Sequence, residues 1–409
     1  MNSFRKINRL LVSSLIVASC YLLSACNKEV EQLGDIPSQQ PSGSTLEQVI
    51  RNNADYSLYY ALIQRGGQLG LINDLSRSYT MFVPNNDAMK AFISAQSGIP
   101  TFLPLTIFIQ AINAGITPEQ AAALVQYHTM PQTITSSNIP NQFPNFYYPS
   151  SFNPVPGLSS LFRIDVYPST RNGLWFNNIP IVSGKTDQLV GNGVIHEIMG
   201  IAIPPQHFLW DRINTDTSMS IFRAAVNRAD SGTGALVSAF QNIGANFTVF
   251  IPTNNAMKQA ISGLTRGAIP VVAPDSVFIG FLNSNNITTF LAKGLVAYHI
   301  FDGRSETNKP SLSVERPGRA FLNNFPTTAE WYKTLLNYDS SAALIHPGVS
   351  VSATFTGNAV SAAKVKGLYN TTAANVLINP TDSTGTSDQQ YLNGIIHRID
   401  QVLLPIQLQ

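Results

Sequence analysis

The chain has 409 residues, 44% hydrophobic and only 12% charged, with 25 Lys and Arg against 23 Asp and Glu and a formal charge of +2. So apolar a sequence excludes a disordered, solvated protein and points to large buried cores in two or three domains. No Lys/Arg stripe exists to neutralise phosphates, which excludes nucleic acid as a partner.

Residues 1–25 read as a removable leader. Arg5, Lys6 and Arg9 precede the apolar run LLVSSLIVASCYLL, which is too short and too soon followed by polar chain for a membrane span. Leu23-Ser24-Ala25-Cys26 then resembles a bacterial lipobox, in which cleavage before the cysteine exposes it to lipidation. Loss of three cations and no acid takes the charge from +2 to −1. It also takes both cysteines out of the fold, Cys20 with the leader and Cys26 as the lipid carrier. No disulfide, thiolate nucleophile or Cys metal site is then expected. Residues 26–44, rich in Pro, Gly, Ser and Gln, read as a flexible tether. Its Lys28-Glu29 and Glu31 resemble the signals that send lipoproteins to the cell surface in Bacteroidetes-type bacteria.

In chain order, TLEQVIRNNADYSLYYALIQR (45–65) predicts a short turn of helix, a polar break and a second helix with Leu58, Leu62 and Ile63 on one face. YTMFVP (79–84) is a buried strand ended by proline. Asn85 stands where a side-chain oxygen caps a helix, Asp87 suits its dipole, and Met89, Phe92 and Ile93 form its core stripe. Tyr127-His128 lies behind branched apolar residues, at a helix end leading into a strand. The segment 141–157 then gathers Phe143, Phe146, Tyr147, Tyr148 and Phe152 among prolines. NGVIHEI (192–198) opens with Asn-Gly, a strong turn signal, and runs as a closing strand to Pro204.

These phrases then recur in the same order. Thr80 corresponds to Thr248 at a distance of 168 residues, Tyr127 to Tyr298 at 171, and Asn192 to Asn393 at 201. Growing offsets in a fixed order mean two homologous domains, 45–206 and 207–409, the second with about 30 extra residues after the Tyr-His phrase. Within that stretch, 321–338 gathers Phe325, Trp331, Tyr332 and Tyr338.

The strand-Pro-Asn/Thr-helix phrase, the internal Tyr-His and the final NG-[VI]-IH together resemble the signature elements of fasciclin-like domains, in both copies and over nearly all of residues 45–406. The resemblance implies a mixed α/β (α+β) fold of two tandem domains, each a β-wedge of two sheets flanked by helices. It also implies a non-enzymatic adhesion or protein-interaction role at a cell surface. Tyr-His elements in animal relatives have been proposed to contact integrins, which makes Tyr127, His128, Tyr298 and His299 candidate binding residues; their apolar flanks predict burial instead.

Of six histidines, four sit in these repeated phrases. No zinc-binding His spacing or acidic loop accompanies them, so no metal and no cofactor is expected. His196 and His397 read as structural, each satisfying groups in a packed wedge. No nucleophile elbow or nucleotide-binding loop is present. Binding is expected from the non-repeated aromatic loops, with Tyr147, Tyr148, Trp331 and Tyr332 able to stack on sugar rings or grip a protein. The expected protein is held in the outer membrane by lipid at Cys26, exposed at the surface, and binds a surface protein. The alternative is a glycan-binding accessory of an outer-membrane polysaccharide uptake system.

Overall fold

Each half of the protein is organised around one parallel strand pair. In the computed structural model, which describes residues 43–157, 159–305, 318–337, 347–381 and 384–407, Tyr79–Pro84 runs parallel to Gly193–Ile198 and Phe247–Pro252 runs parallel to Gly394–Ile399. Cys26, the leader, the tether up to residue 42 and Tyr338 lie outside the described residues. The registers correspond residue for residue: Phe82 pairs with His196, and Phe250 with His397. The Asn-Gly turns are needed because a Cβ at Gly193 would overlap the Tyr79 carbonyl, and one at Gly394 the Phe247 carbonyl.

Antiparallel neighbours flank each pair. Thr129–Met130 and Gln188–Val190 complete a four-stranded sheet in the first half, and Ile300–Ser305 and Gln389–Tyr391 take the same places in the second. There the sheet continues through Glu330–Thr334, Val349–Thr356, Ala359–Gly367 and Ala374–Asn375 to a total of eight strands. A register shift between Phe301 and Ser305 marks a bulge, the usual device for bending a sheet. The first half instead carries separate sheets of two and three short strands.

The central strands are buried on both faces because each sheet divides two cores. Met81 and Val83 face a helical core with Leu58, Leu62 and Ile63, while Phe82 faces Tyr127, Met130 and Phe176. Val249 and Ile251 face Ile221, Ala225 and Val226, while Phe250 faces Tyr298, Phe301 and Phe325. The helices begin where side-chain caps occur: Asn85 accepts from Ala88 N, Thr253 from Ala256 N, and Thr45 forms a capping box with Gln48.

The extra length of the second half falls in two places. Ile300 to Ala320 spans 20 residues where Thr129 to Ile134 spans five, and Leu322 to Asp388 spans 66 where Ser136 to Asp187 spans 51. The second of these intervals contains the long Val349–Thr356/Ala359–Gly367 hairpin.

Candidate functional site

The Tyr-His phrases form the ends of two helices, Pro118–Tyr127 and Thr289–Tyr298, with His128 and His299 at the caps. Both histidines are fully buried. His128 Nε2 accepts from Ala202 N at 3.1 Å, so Nδ1 carries the proton and donates to Leu124 O at 2.7 Å. His299 repeats this with Leu403 N at 2.9 Å and Leu295 O at 2.8 Å. Each ring therefore joins a helix end to the chain just beyond the closing strand. Burial lowers both imidazoles to about 4 and keeps them neutral.

His196 and His397 form a second repeated tie. His196 donates from Nε2 to Ile134 O at 2.9 Å and accepts at Nδ1 from Asp187 N at 3.3 Å. His397 does the same with Ala320 O at 2.8 Å and Asp388 N at 3.2 Å. Both rings stack on the phenylalanine of the paired strand, Phe82 or Phe250. All four imidazoles thus have both nitrogens engaged by backbone, which leaves no lone pair for a substrate or metal. Among the described residues no group of three or more His, Cys, Asp or Glu side chains could hold a metal ion. No described helix is long and apolar enough to cross a membrane.

The tyrosines of the two phrases are fully buried and point in different directions. Tyr298 donates to Gly348 O within its own half. The Tyr127 hydroxyl lies 3.4 Å from Asp165 O, 3.3 Å from Gln390 Oε1 of the second half and 3.2 Å from Asn177 Nδ2, whose N–H₂ donates to it. Neither ring presents a surface to a partner.

The two aromatic loops are brought together by the fold, and they meet each other. Phe143, 9% exposed, inserts among Phe301, Phe325 and Tyr332, with ring centres 5.9, 5.4 and 5.0 Å away. Around it, Asn145 N donates to Arg319 O, Asn172 Nδ2 donates to Asn323 O and Phe325 O, and Asn323 Nδ2 donates to Asn177 O. Tyr167 OH donates to Asn246 Oδ1 at 3.1 Å. The described residues from Gly43 onward accordingly form one compact unit. Tyr332, 2% exposed, has its hydroxyl on Glu330. Trp331 is half-buried. Residues 321–338 therefore offer no open row of rings among their described members, because the apolar faces that suggested a binding platform are spent on the neighbouring domain.

What remains outside the seam is a small aromatic patch. Phe146 is 41% exposed; its ring stacks on Tyr147 at 5.2 Å and 13°, and meets Tyr148 edge-on at 5.2 Å. Tyr147 and Tyr148 are half-buried, and Tyr147 packs inward against Tyr167, Phe321 and Ile395. Nearby in sequence, Val155, Ser159, Leu161 and Phe162 line, with Ile243 of the second half, an open apolar depression of about 380 Å³. Its one side-chain hydroxyl, on Ser159, does not amount to the converging polar groups of an active site. The seam contacts of Asn145, Tyr167, Asn246 and Arg319 were not legible in the sequence: these residues stand outside the repeated phrases, and Tyr167–Asn246, Arg319–Asn246 and Asn145–Phe321 are each more than 70 residues apart.

Fold and site together define a protein of two like α/β domains, tied internally by repeated histidines and joined by a buried aromatic seam. Residues 54–204 match the family model of the fasciclin domain, and the second half repeats its strands and histidine ties. The first half is therefore similar to a fasciclin domain, and the second half is built on the same strand and histidine plan. Among solved structures it is similar to a FAS1 domain pair from the insect cell adhesion molecule fasciclin I, with 13% identity, 86% of this chain and 97% of that chain covered, and a TM-score of 0.32. No curated protein matches the chain.

Proposed function

We propose that the protein is a non-catalytic adhesion or protein-interaction module of the cell envelope, tethered by lipid at Cys26 and extended by residues 27–44. The fasciclin-domain match supports the interaction class. The observation that carries the contact site is the patch of Phe146 on Tyr147 with Tyr148, which stays partly open where Phe143, Phe325 and Tyr332 are buried. Exposed aromatic anchors of this kind dominate binding energy where they occur.

The test is capture on immobilised protein of purified cell-envelope proteins, in parallel with a polysaccharide panel. Phe146→Ala should weaken the captured ligand about tenfold or more while the melting temperature holds. Undiminished binding by that variant would move the site elsewhere. Capture of polysaccharide alone would favour the second reading, a glycan-binding accessory of a nutrient uptake system, for which the near-parallel Phe146 and Tyr147 rings speak. For the anchor, Cys26→Ser should release the protein from the membrane fraction and abolish labelling by a fatty-acid probe.

A further inference from the structure

The seam buries a positive charge to which the described residues supply no counter-charge. Arg319 is 2% exposed. Its Nε donates to Asn246 Oδ1 at 2.8 Å, its Nη2 to the carbonyls of Tyr391 and Leu392 at 2.7 and 3.2 Å, and its guanidinium lies 5.1 Å from the centre of the Tyr167 ring. Every one of these partners is neutral. No described carboxylate forms an ion pair with it, and Nη1 has no hydrogen-bond partner. Asp388, bonded to the nearby Leu322 N and pushed up to about 7 by burial, forms no ion pair with Arg319.

Directly across the seam stands a second unused donor. Asn145 pairs with Arg319 in an isolated antiparallel bridge. Its side chain is fully buried, Oδ1 accepts from Phe321 N at 3.4 Å, and Nδ2 has no partner. Residues opposite each other in an antiparallel pair project to the same face. Arg319 Nη1 and Asn145 Nδ2 therefore project N–H groups, one of them cationic, to the same side of the bridge, and neither has a hydrogen-bond acceptor. Burying such a charge alone is strongly unfavourable. A water would satisfy the donors and leave the charge.

We propose that the domain seam binds a small monovalent anion of chloride size, held by Arg319 Nη1 and Asn145 Nδ2, as the counter-ion that locks the two domains together. The space required is about that of one water, roughly 30 Å³.

The test compares unfolding of the full-length protein in sodium gluconate and in sodium bromide at equal ionic strength, so that screening is matched. Bromide should raise the melting temperature by roughly 3 °C or more, saturating as a single site fills. Asn145→Asp places a carboxylate where the ion would sit and keeps an acceptor for Phe321 N. That variant should melt at or above the bromide-bound wild type and lose the bromide response. Equal bromide responses in the two proteins would overturn the proposal, because general salt effects are common to both. Should the variant not fold, a bromide-grown crystal of the wild type decides alone: an anomalous peak in hydrogen-bond reach of Arg319 Nη1 supports the site, and a water there refutes it.

Discussion

The two closing strands, Gly193–Ile198 and Gly394–Ile399, occupy the same place in the two domains and bury opposite charges one residue after the shared histidine. Glu197 is 5% exposed and accepts from Tyr56 OH at 2.9 Å and Asn85 Nδ2 at 3.1 Å. Arg398, also 5% exposed, donates to the hydroxyl and the carbonyl of Ser218, both at 2.8 Å. The aspartates that bond to the histidines diverge as well. Asp187 accepts from Ser136 N and Oγ and is held below the ordinary carboxylate range by those bonds against the opposing effect of burial. Among the described residues the Asp388 carboxyl accepts a hydrogen bond from Leu322 N alone, and burial pushes it up to about 7. Contacts to backbone are thus retained between the copies, and contacts to side chains are exchanged. The backbone offers the same donors and acceptors in both domains, whereas a side-chain partner can change if its neighbour changes with it.

The largest break in that comparison should come from exchanging the buried charges. Glu197→Arg removes the acceptor from Tyr56 and Asn85 and sets a cation near Lys185. Arg398→Glu turns a carboxylate towards Ser218 O and the Asp216 charge. Each should cost on the order of 4 kcal/mol in urea unfolding. A loss below about 1 kcal/mol would show that the slot tolerates either sign without its neighbours. Phe143→Ala should cost about 3 kcal/mol, concentrated in the coupling between domains. Calorimetry should then resolve two transitions in place of one, and a single undiminished transition would mean that the seam does not depend on this ring.

His196→Ala and His397→Ala should each cost about 2–3 kcal/mol, since each leaves a buried carbonyl and a buried N–H unpaired. His397 should be the costlier, because the segment it holds, Ala320–Phe325, docks on the other domain. Equal binding of ligand by both variants after correction for folding would agree with a structural role. Lost binding at unchanged stability would contradict it.

The smallest effects should carry opposite signs. Asp388 has a folded pKa near 7, above its unfolded value, so its stabilising effect is complete at low pH and is lost as pH rises through 7. Asp388→Asn should therefore raise stability at pH 8 by about 1 kcal/mol. Asp187, depressed, stabilises above its unfolded pKa and loses that effect as pH falls, so Asp187→Asn should lower stability at pH 8. His397, lowered to about 4 by burial, contributes stability that falls away as pH drops below 6.5. In the wild type the proton taken up by Asp388 offsets this. Asp388→Asn should accordingly lose about 2 kcal/mol more than wild type between pH 7 and pH 5. Parallel pH profiles for the two aspartate variants would show that the sites are not distinct.

Much of the scaffold could be read from local pattern. The apolar runs ending at Pro84 and Pro252, the caps at Asn85 and Thr253, the helix ends at the Tyr-His phrases and the Asn-Gly turns are signals within a few residues of their effects. The parallel pairing of the strands, the two-part insertion and the eight-stranded sheet were not legible, since each depends on contacts between distant segments. The aromatic loops show the limit most clearly. Phe143, Phe325 and Tyr332 carry the same composition whether they face solvent, a ligand or a domain.

The sequence by itself determined that two like domains follow one another, where each begins its sheet and where each closes it, because period, turn chemistry and repeat order are properties of neighbouring residues. The tertiary structure alone decided which partner the aromatic loops take. Phe143 is buried by the second domain and Phe146, three residues on, is left at the surface. That distinction is made by the shape of the opposing face around Phe301, Phe325 and Tyr332, which exists only once both domains have folded.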